Sequence, residues 1–109
     1  MGGIDEIKVG DIYQCTWGWE QTNVNYYQVV QKTAKMVRIK PIRSRTTEDG
    51  YCCGHSVPCK DEFKTGDYYD PFVKGEKLCK VYDDGWIRLS SDHSACKWDG
   101  HPMYVSWYH

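Results

Sequence analysis

The sequence predicts a small, mainly β domain, either an SH3-like barrel or a β-sandwich built from short hairpins. Five Trp, nine Tyr and two Phe make up 15% of the 109 residues, and aromatic side chains favour the pleated, half-buried surface of a sheet. Two segments have the pattern of a strand, a tight turn and a returning strand, and no segment favours a helix. The length fits one hydrophobic core, so residues 1–109 are expected to form a single domain.

Residues 9–17 are predicted to form the first strand. Gly10 and Asp11 provide a bend at its entry, and β-forming residues then alternate with polar ones. Residues 18–25 are rich in Gly, Gln, Thr and Asn, a composition typical of a loop. A first strand, an aromatic loop and a tight hairpin in that order favour the SH3-like barrel.

The firmest local prediction is a hairpin of residues 26–32 and 36–42 around a short turn. In the second of these strands apolar and basic residues alternate, so one face belongs to the core and the other meets solvent or a partner. The alternating residues are Val37, Arg38, Ile39 and Lys40.

The second half of the chain is less regular. Within residues 43–60 a Glu-Asp-Gly turn occurs, and Pro58 limits any strand there to an edge. Residues 61–75 are expected to form an irregular connection. Residues 78–90 form a second hairpin around an Asp-Asp-Gly turn, and residues 99–108 begin with a turn and end as a last edge strand.

One stretch of the chain is strongly basic although the net charge is only −1. The residues between Glu20 and Glu48 carry +6 and no acid, which leaves −7 for the rest. Such a stripe could track the phosphates of a nucleic acid or meet an acidic protein surface, or it could be a solvated face. Its members are Lys32, Lys35, Arg38, Lys40, Arg43 and Arg45.

The aromatic loop after the first strand is the candidate partner-binding site. It offers flat rings at low entropy cost together with directional amide groups. In the alternative interpretation its rings cap the barrel and its amides bond the backbone of the loop itself. The candidate residues are Trp17, Trp19, Gln21, Asn23 and Tyr26.

The six cysteines raise the question of a metal. Zinc needs four ligands in a tetrahedron, usually from short-spaced pairs on turns, and the chain contains no Cys-x-x-Cys pair. The cysteines are therefore interpreted mainly as reduced thiols that act as small apolar groups, with no cofactor expected. A disulfide and a zinc site remain alternatives, and the ligands of that zinc site would be Cys53, Cys59, His93 and Cys96.

Catalysis is not predicted. Cys53 with His55, or Asp92 with His93, could be imagined as a reactive pair, but residues so close along a strand or turn rarely face each other as such chemistry requires. The chain has no phosphate-binding glycine loop and no Gly-x-Ser-x-Gly elbow.

The expected location is the cytoplasm. The first twenty residues contain five charged side chains and are not expected to form a signal peptide, and no apolar run reaches membrane length. No membrane contact is expected. The last strand could pack on the barrel or pair with a second copy, so a monomer and a homodimer both remain open.

Two segments resemble a group of short proteins carried by bacteriophages, plasmids and integrative elements. The first runs from residue 9 to residue 30 and contains a Gln-Thr-Asn motif, and the second is a Trp-Asp-Gly ending at residues 98–104. The group has no established activity, so the resemblance implies a genomic setting and no catalytic residue. Small proteins of this setting, anti-CRISPR proteins among them, often block a host defence by occupying a surface of it.

The leading hypothesis is therefore a non-catalytic protein that binds and inhibits a bacterial defence component, a protein or ribonucleoprotein such as a CRISPR effector. One alternative is an SH3-like module that binds single-stranded DNA or RNA. Another is a zinc-stabilised interaction module.

Overall fold

The computed structural model describes residues 7–18, 22–50, 53–64, 73, 75–82, 86–89 and 93–106. The strands that it contains are β1 (Ile12–Trp17), β2 (Asn23–Lys32), β3 (Met36–Gly50), β4 (Cys53–Phe63), β5 (Lys77–Lys80), β6 (Ile87–Arg88), β7 (Ser94–Lys97) and β8 (Met103–Ser106). All pairings are antiparallel. Among these residues no helix is long and apolar enough to span a membrane.

Six strands form a curled sheet whose pairings return to their starting point. From β1 the order runs through β2 and β3 to β5, which pairs with the first residues of β3. A bridge between Val81 and Ile87 joins the end of β5 to β6, and β6 continues through β7 back to β1. The mainly β fold class is thus confirmed, and the sheet is compatible with a small barrel.

The inside of this sheet is the main hydrophobic core. It is filled by one face of each strand, as the alternation of side chains in a strand requires. Its buried residues are Ile7, Tyr13, Cys15, Tyr27, Val29, Val37, Ile39, Val73, Cys79, Ile87, Leu89 and Ala95. Trp17 and Val81 are partly buried and pack against it.

The second half of β3 extends beyond the barrel, and the same sheet continues from it through β4 to β8. We call the part formed by these three strands the β4 sheet. Thr47 lies opposite His55, and His55 lies opposite Tyr104. The far edge of this sheet is tied to the start of β2, because Ser106 N donates to Thr22 O at 3.0 Å and Thr22 N donates to Ser106 Oγ at 2.8 Å.

β4 also covers the outer face of β2, so β2 is buried on both sides. Tyr27 and Val29 lie in the barrel core, whereas Tyr26 and Gln28 lie on the opposite face. The Gln28 amide donates to Asp61 Oδ1 at 2.8 Å and accepts from Asp61 N at 2.7 Å. These bonds satisfy the buried amide and fix β4 against β2.

The predicted hairpins are confirmed. β2 and β3 pair around a turn in which Thr33 Oγ1 accepts from Met36 N at 3.0 Å. In the second hairpin Tyr82 N donates to Trp86 O at 2.9 Å, and the Asp-Asp-Gly turn lies outside the described residues. Pro58 lies beyond the part of β4 that pairs with β8, so it occupies a one-sided position as predicted.

Two local predictions were wrong, and one strand was not predicted. β2 begins at Asn23, inside the predicted loop, and β4 continues to Phe63, into the predicted irregular connection. Strand β7 was not anticipated, although it pairs with β1. In each case a neighbouring strand supplies backbone hydrogen bonds that a local pattern cannot show.

Because Tyr13 is buried, we expect the free energy of unfolding of the protein to decrease above pH 10. Desolvation, helped by the charges of Asp11 and Cys96, raises the pKa of Tyr13 from 10.0 to about 12. Above pH 10 the unfolded chain would release a proton that folded Tyr13 retains, so the free energy of unfolding falls by about 3 kcal/mol up to pH 12. Urea unfolding at increasing pH checks this.

The matched variant is Tyr13→Phe. In this variant the free energy of unfolding should decrease less steeply with pH above pH 10. Some slope should persist, because burial also raises the pKa of Tyr26 despite its hydrogen bond to Ser56. An unchanged slope in Tyr13→Phe would exclude Tyr13 as the titrating group.

Candidate binding surfaces

Of the five candidate residues of the predicted aromatic loop, the three that the structure describes are buried or half-buried. Tyr26 is only 2% exposed, because β4 covers its ring, so this residue is removed from the contact surface. Trp17 packs against the core, and Asn23 is half-buried on β2. Trp19 and Gln21 lie outside the described residues.

The predicted basic stripe is divided by the fold. Arg38 Nε donates to Gln31 Oε1 at 3.1 Å, and its Nη1 lies 3.7 Å from Glu76 Oε2. Lys40 Nζ lies 5.7 Å from the centre of the Phe63 ring. Both cations therefore have interaction partners within the chain.

The other four cations of the stripe lie in two places. Lys32 and Lys35 are exposed near the turn between β2 and β3, whereas Arg43 and Arg45 are exposed on the part of β3 that belongs to the β4 sheet. Of these four cations, Arg45 lines the groove described below.

The residues of the alternative zinc site are not brought together. Cys53 and Cys59 lie roughly 20 Å apart along β4, given the rise of an extended strand. Cys96 lies on β7, separated from β4 in the sheet by β1, β2 and β3. Its Sγ accepts a hydrogen bond of 2.8 Å from Gln14 Nε2. Across the part of the chain that the structure describes, no three Cys, His, Asp or Glu side chains form a metal-binding group.

The cysteines that the structure describes form no disulfide with one another. Cys15 and Cys79 are buried in the barrel core. Burial raises the pKa of the Cys79 thiol, with Lys77 opposing the shift, so the neutral form is favoured. Both residues act as small apolar groups.

The Trp-Asp-Gly motif builds the turn between β7 and β8. Trp98 Nε1 donates to His101 O at 2.7 Å, and Asp99 Oδ1 accepts from His101 N at 2.9 Å, which lowers the pKa of Asp99. Gly100 has a φ of 92°, where a side chain would be strained. The Trp98 ring meets Tyr26 edge-on at 6.4 Å. This motif therefore stabilises the turn between β7 and β8 and packs it against β2.

The outer face of the β4 sheet forms an open groove of about 450 Å³. Its lining residues are Arg45, Thr47, His55, Val57 and Pro102. Tyr104 stands beside it, 53% exposed, and meets the His55 ring edge-on at 6.1 Å. Of these residues only Arg45 was predicted, although alternation along β4 and β8 would have placed His55 and Tyr104 on one face.

A second exposed surface lies on the hairpin of β5 and β6 and was not predicted at all. We call it the hairpin surface. The Tyr82 ring is flanked by Lys80 Nζ and by Arg88 Cζ, each 5.6 Å from the ring centre. Leu78, Tyr82 and Trp86 are 39%, 38% and 42% exposed, respectively.

Comparison with protein families, curated proteins and solved structures gave no match. The function must therefore be inferred from the surfaces of the chain itself. The hairpin surface and the groove of the β4 sheet each combine exposed aromatic rings with cations. This combination can anchor a macromolecule, since rings supply contact area and cations supply orientation.

Proposed function

We propose that this chain is a non-catalytic binding protein of a mobile genetic element that inhibits a bacterial defence component, such as a CRISPR effector, in the host cytoplasm. The observation that carries the proposal is the hairpin surface. The resemblance to short proteins of phages and plasmids supports the setting. The inhibitor acts by occupying a surface that its target needs.

The hairpin surface has the composition of a protein-binding hot spot. Trp, Tyr and Arg are the residue types that dominate binding energy in interfaces, and here Trp86, Tyr82 and Arg88 lie on one short hairpin. Covering the exposed parts of these rings and of Leu78 removes apolar area from water.

The charge of this surface favours a protein over a polyanion. Lys80 and Arg88 flank Tyr82, while the connecting turn carries Asp83 and Asp84 in the sequence. A segment of balanced charge gains little from phosphates, but it can pair with mixed charges at the rim of a protein interface.

Replacing Trp86 with alanine is expected to weaken binding to the target by about 30-fold or more, the loss typical of a hot-spot residue. The experiment uses a panel of purified defence complexes, including guide-loaded nucleases, and measures binding together with target cleavage. The exposed cation Lys35 provides the matched control, because Lys35→Ala lies outside the hairpin surface and should bind like the wild type.

Two results would overturn the proposal. One is a wild-type protein that neither binds any member of the panel nor changes cleavage. The other is a Trp86→Ala variant that inhibits as well as the wild type, which would move the contact away from the hairpin.

A further inference from the structure

We infer that the groove of the β4 sheet is a second binding site and that its ligand is single-stranded nucleic acid. The inference is independent of the protein partner proposed above, because the groove and the hairpin surface use different strands and different residues.

The groove offers a guanidinium group to a phosphate. Arg45 is exposed and lines the groove, and the exposed Arg43 lies two residues before it on β3, at the irregular pairing between Ile42 and Ser44. The guanidinium group of Arg45 can bind a phosphate in a bidentate manner.

The charge of the groove favours a polyanion. Its lining contains the cation Arg45, and within the described part of the chain no carboxylate side chain lines it. Glu48, the nearest described acid along β3, lies opposite Gly54. Strand alternation therefore turns Glu48 to the other face, away from Thr47 and Arg45.

Tyr104 supplies a stacking platform for a base. More than half of its surface is exposed, and the edge-on contact with His55 holds the ring against the sheet. Stacking on a tyrosine requires a base that is not already stacked in a duplex, so the geometry selects single strands.

The remaining groove residues fit the sugar and the base edge. Thr47 and His55 lie opposite each other and bring hydroxyl and imidazole groups to the floor of the groove. Val57 and Pro102 provide an apolar wall.

The test measures fluorescence anisotropy of labelled oligo(dT) and oligo(U), each of about twelve nucleotides, which matches common single-strand site sizes. Wild-type affinity should fall as salt rises from about 50 to about 200 mM. Tyr104→Ala should weaken binding about 5- to 100-fold through loss of one stacked base, and Tyr104→Phe should restore it. Arg45→Gln should lower the salt slope by about 0.7, the value for one phosphate of a single strand.

Tyr82→Ala provides the matched control, because Tyr82 is also an exposed tyrosine between cations but lies on the hairpin surface. It should bind oligonucleotides like the wild type, and thermal unfolding confirms that each variant is folded. The inference fails if no oligonucleotide binds at low salt. It also fails if Tyr104→Ala and Tyr82→Ala lose affinity equally, or if a duplex of the same length competes as well as the single strand.

Discussion

Substituting Gly54 with alanine should lower the free energy of unfolding by at least about 3 kcal/mol, at the upper end of overpacking effects. A Cβ at this position would overlap the carbonyl oxygen of Thr47 and would come within 3.3 Å of Glu48 Cα. Both are backbone atoms of the paired strand, so a side-chain rotation cannot relieve the clash. β4 must move away from β3.

The consequence should extend beyond stability. Gly54 is paired with Glu48 on β3 and with Val105 on β8, so displacement of β4 disturbs both edges of the β4 sheet. Affinity for the proposed single-stranded ligand should therefore fall in the same variant, while binding of the proposed protein partner to the hairpin surface should be retained at temperatures where the barrel is folded.

Gly50→Ala is the matched control on the same hairpin. Its added Cβ would lie 3.4 Å from Cys53 Sγ, an ordinary contact with a side chain. Urea unfolding of both variants checks the prediction. Equal stability of Gly54→Ala and the wild type would mean that β3 and β4 are not packed at the separation described.

Truncation of Tyr26 to alanine should destabilise the chain by about 3–5 kcal/mol, as for other buried aromatic residues. The ring is buried between β2 and β4. Its hydroxyl donates to Ser56 O at 3.0 Å and shares a hydrogen bond of 2.8 Å with Ser56 Oγ. The variant loses the packing and leaves buried polar atoms of Ser56 without this partner.

Tyr26→Phe separates these two contributions. It retains the ring and removes the hydroxyl, so a loss of about 1–3 kcal/mol is expected from the unsatisfied Ser56 groups. Urea unfolding of the two variants measures both effects. If Tyr26 instead contacts a partner, Tyr26→Ala should bind poorly and unfold like the wild type, which would contradict its position under β4.

The sequence predicted the hairpins because their signals are local. Alternation of Val37 and Ile39 with basic residues identifies one strand face, and the Asp-Asp-Gly turn indicates a chain reversal. Each signal depends on residues within a few positions of one another. The paired strands β2 and β3, and the contact between Tyr82 and Trp86, confirm them.

The candidate sites were harder to predict because exposure depends on distant segments. Tyr26 and Tyr27 are adjacent and point to opposite faces, and both are buried because β4 covers the face that the barrel leaves open. Arg38 is engaged by Glu76, which the chain brings back on the segment before β5. The sequence around Tyr26 does not show that β4 covers it, and the sequence around Arg38 does not show that Glu76 lies beside it.

The sequence by itself determined the mainly β class and the positions of the tight turns, because backbone preference and side-chain alternation act over a few residues. Only the tertiary structure decided which rings are buried and which cations are paired. It also decided that β3 leaves the barrel to build a groove with β4 and β8. The physical reason is that burial and pairing depend on which strands meet, and those contacts join parts of the chain that are far apart in sequence.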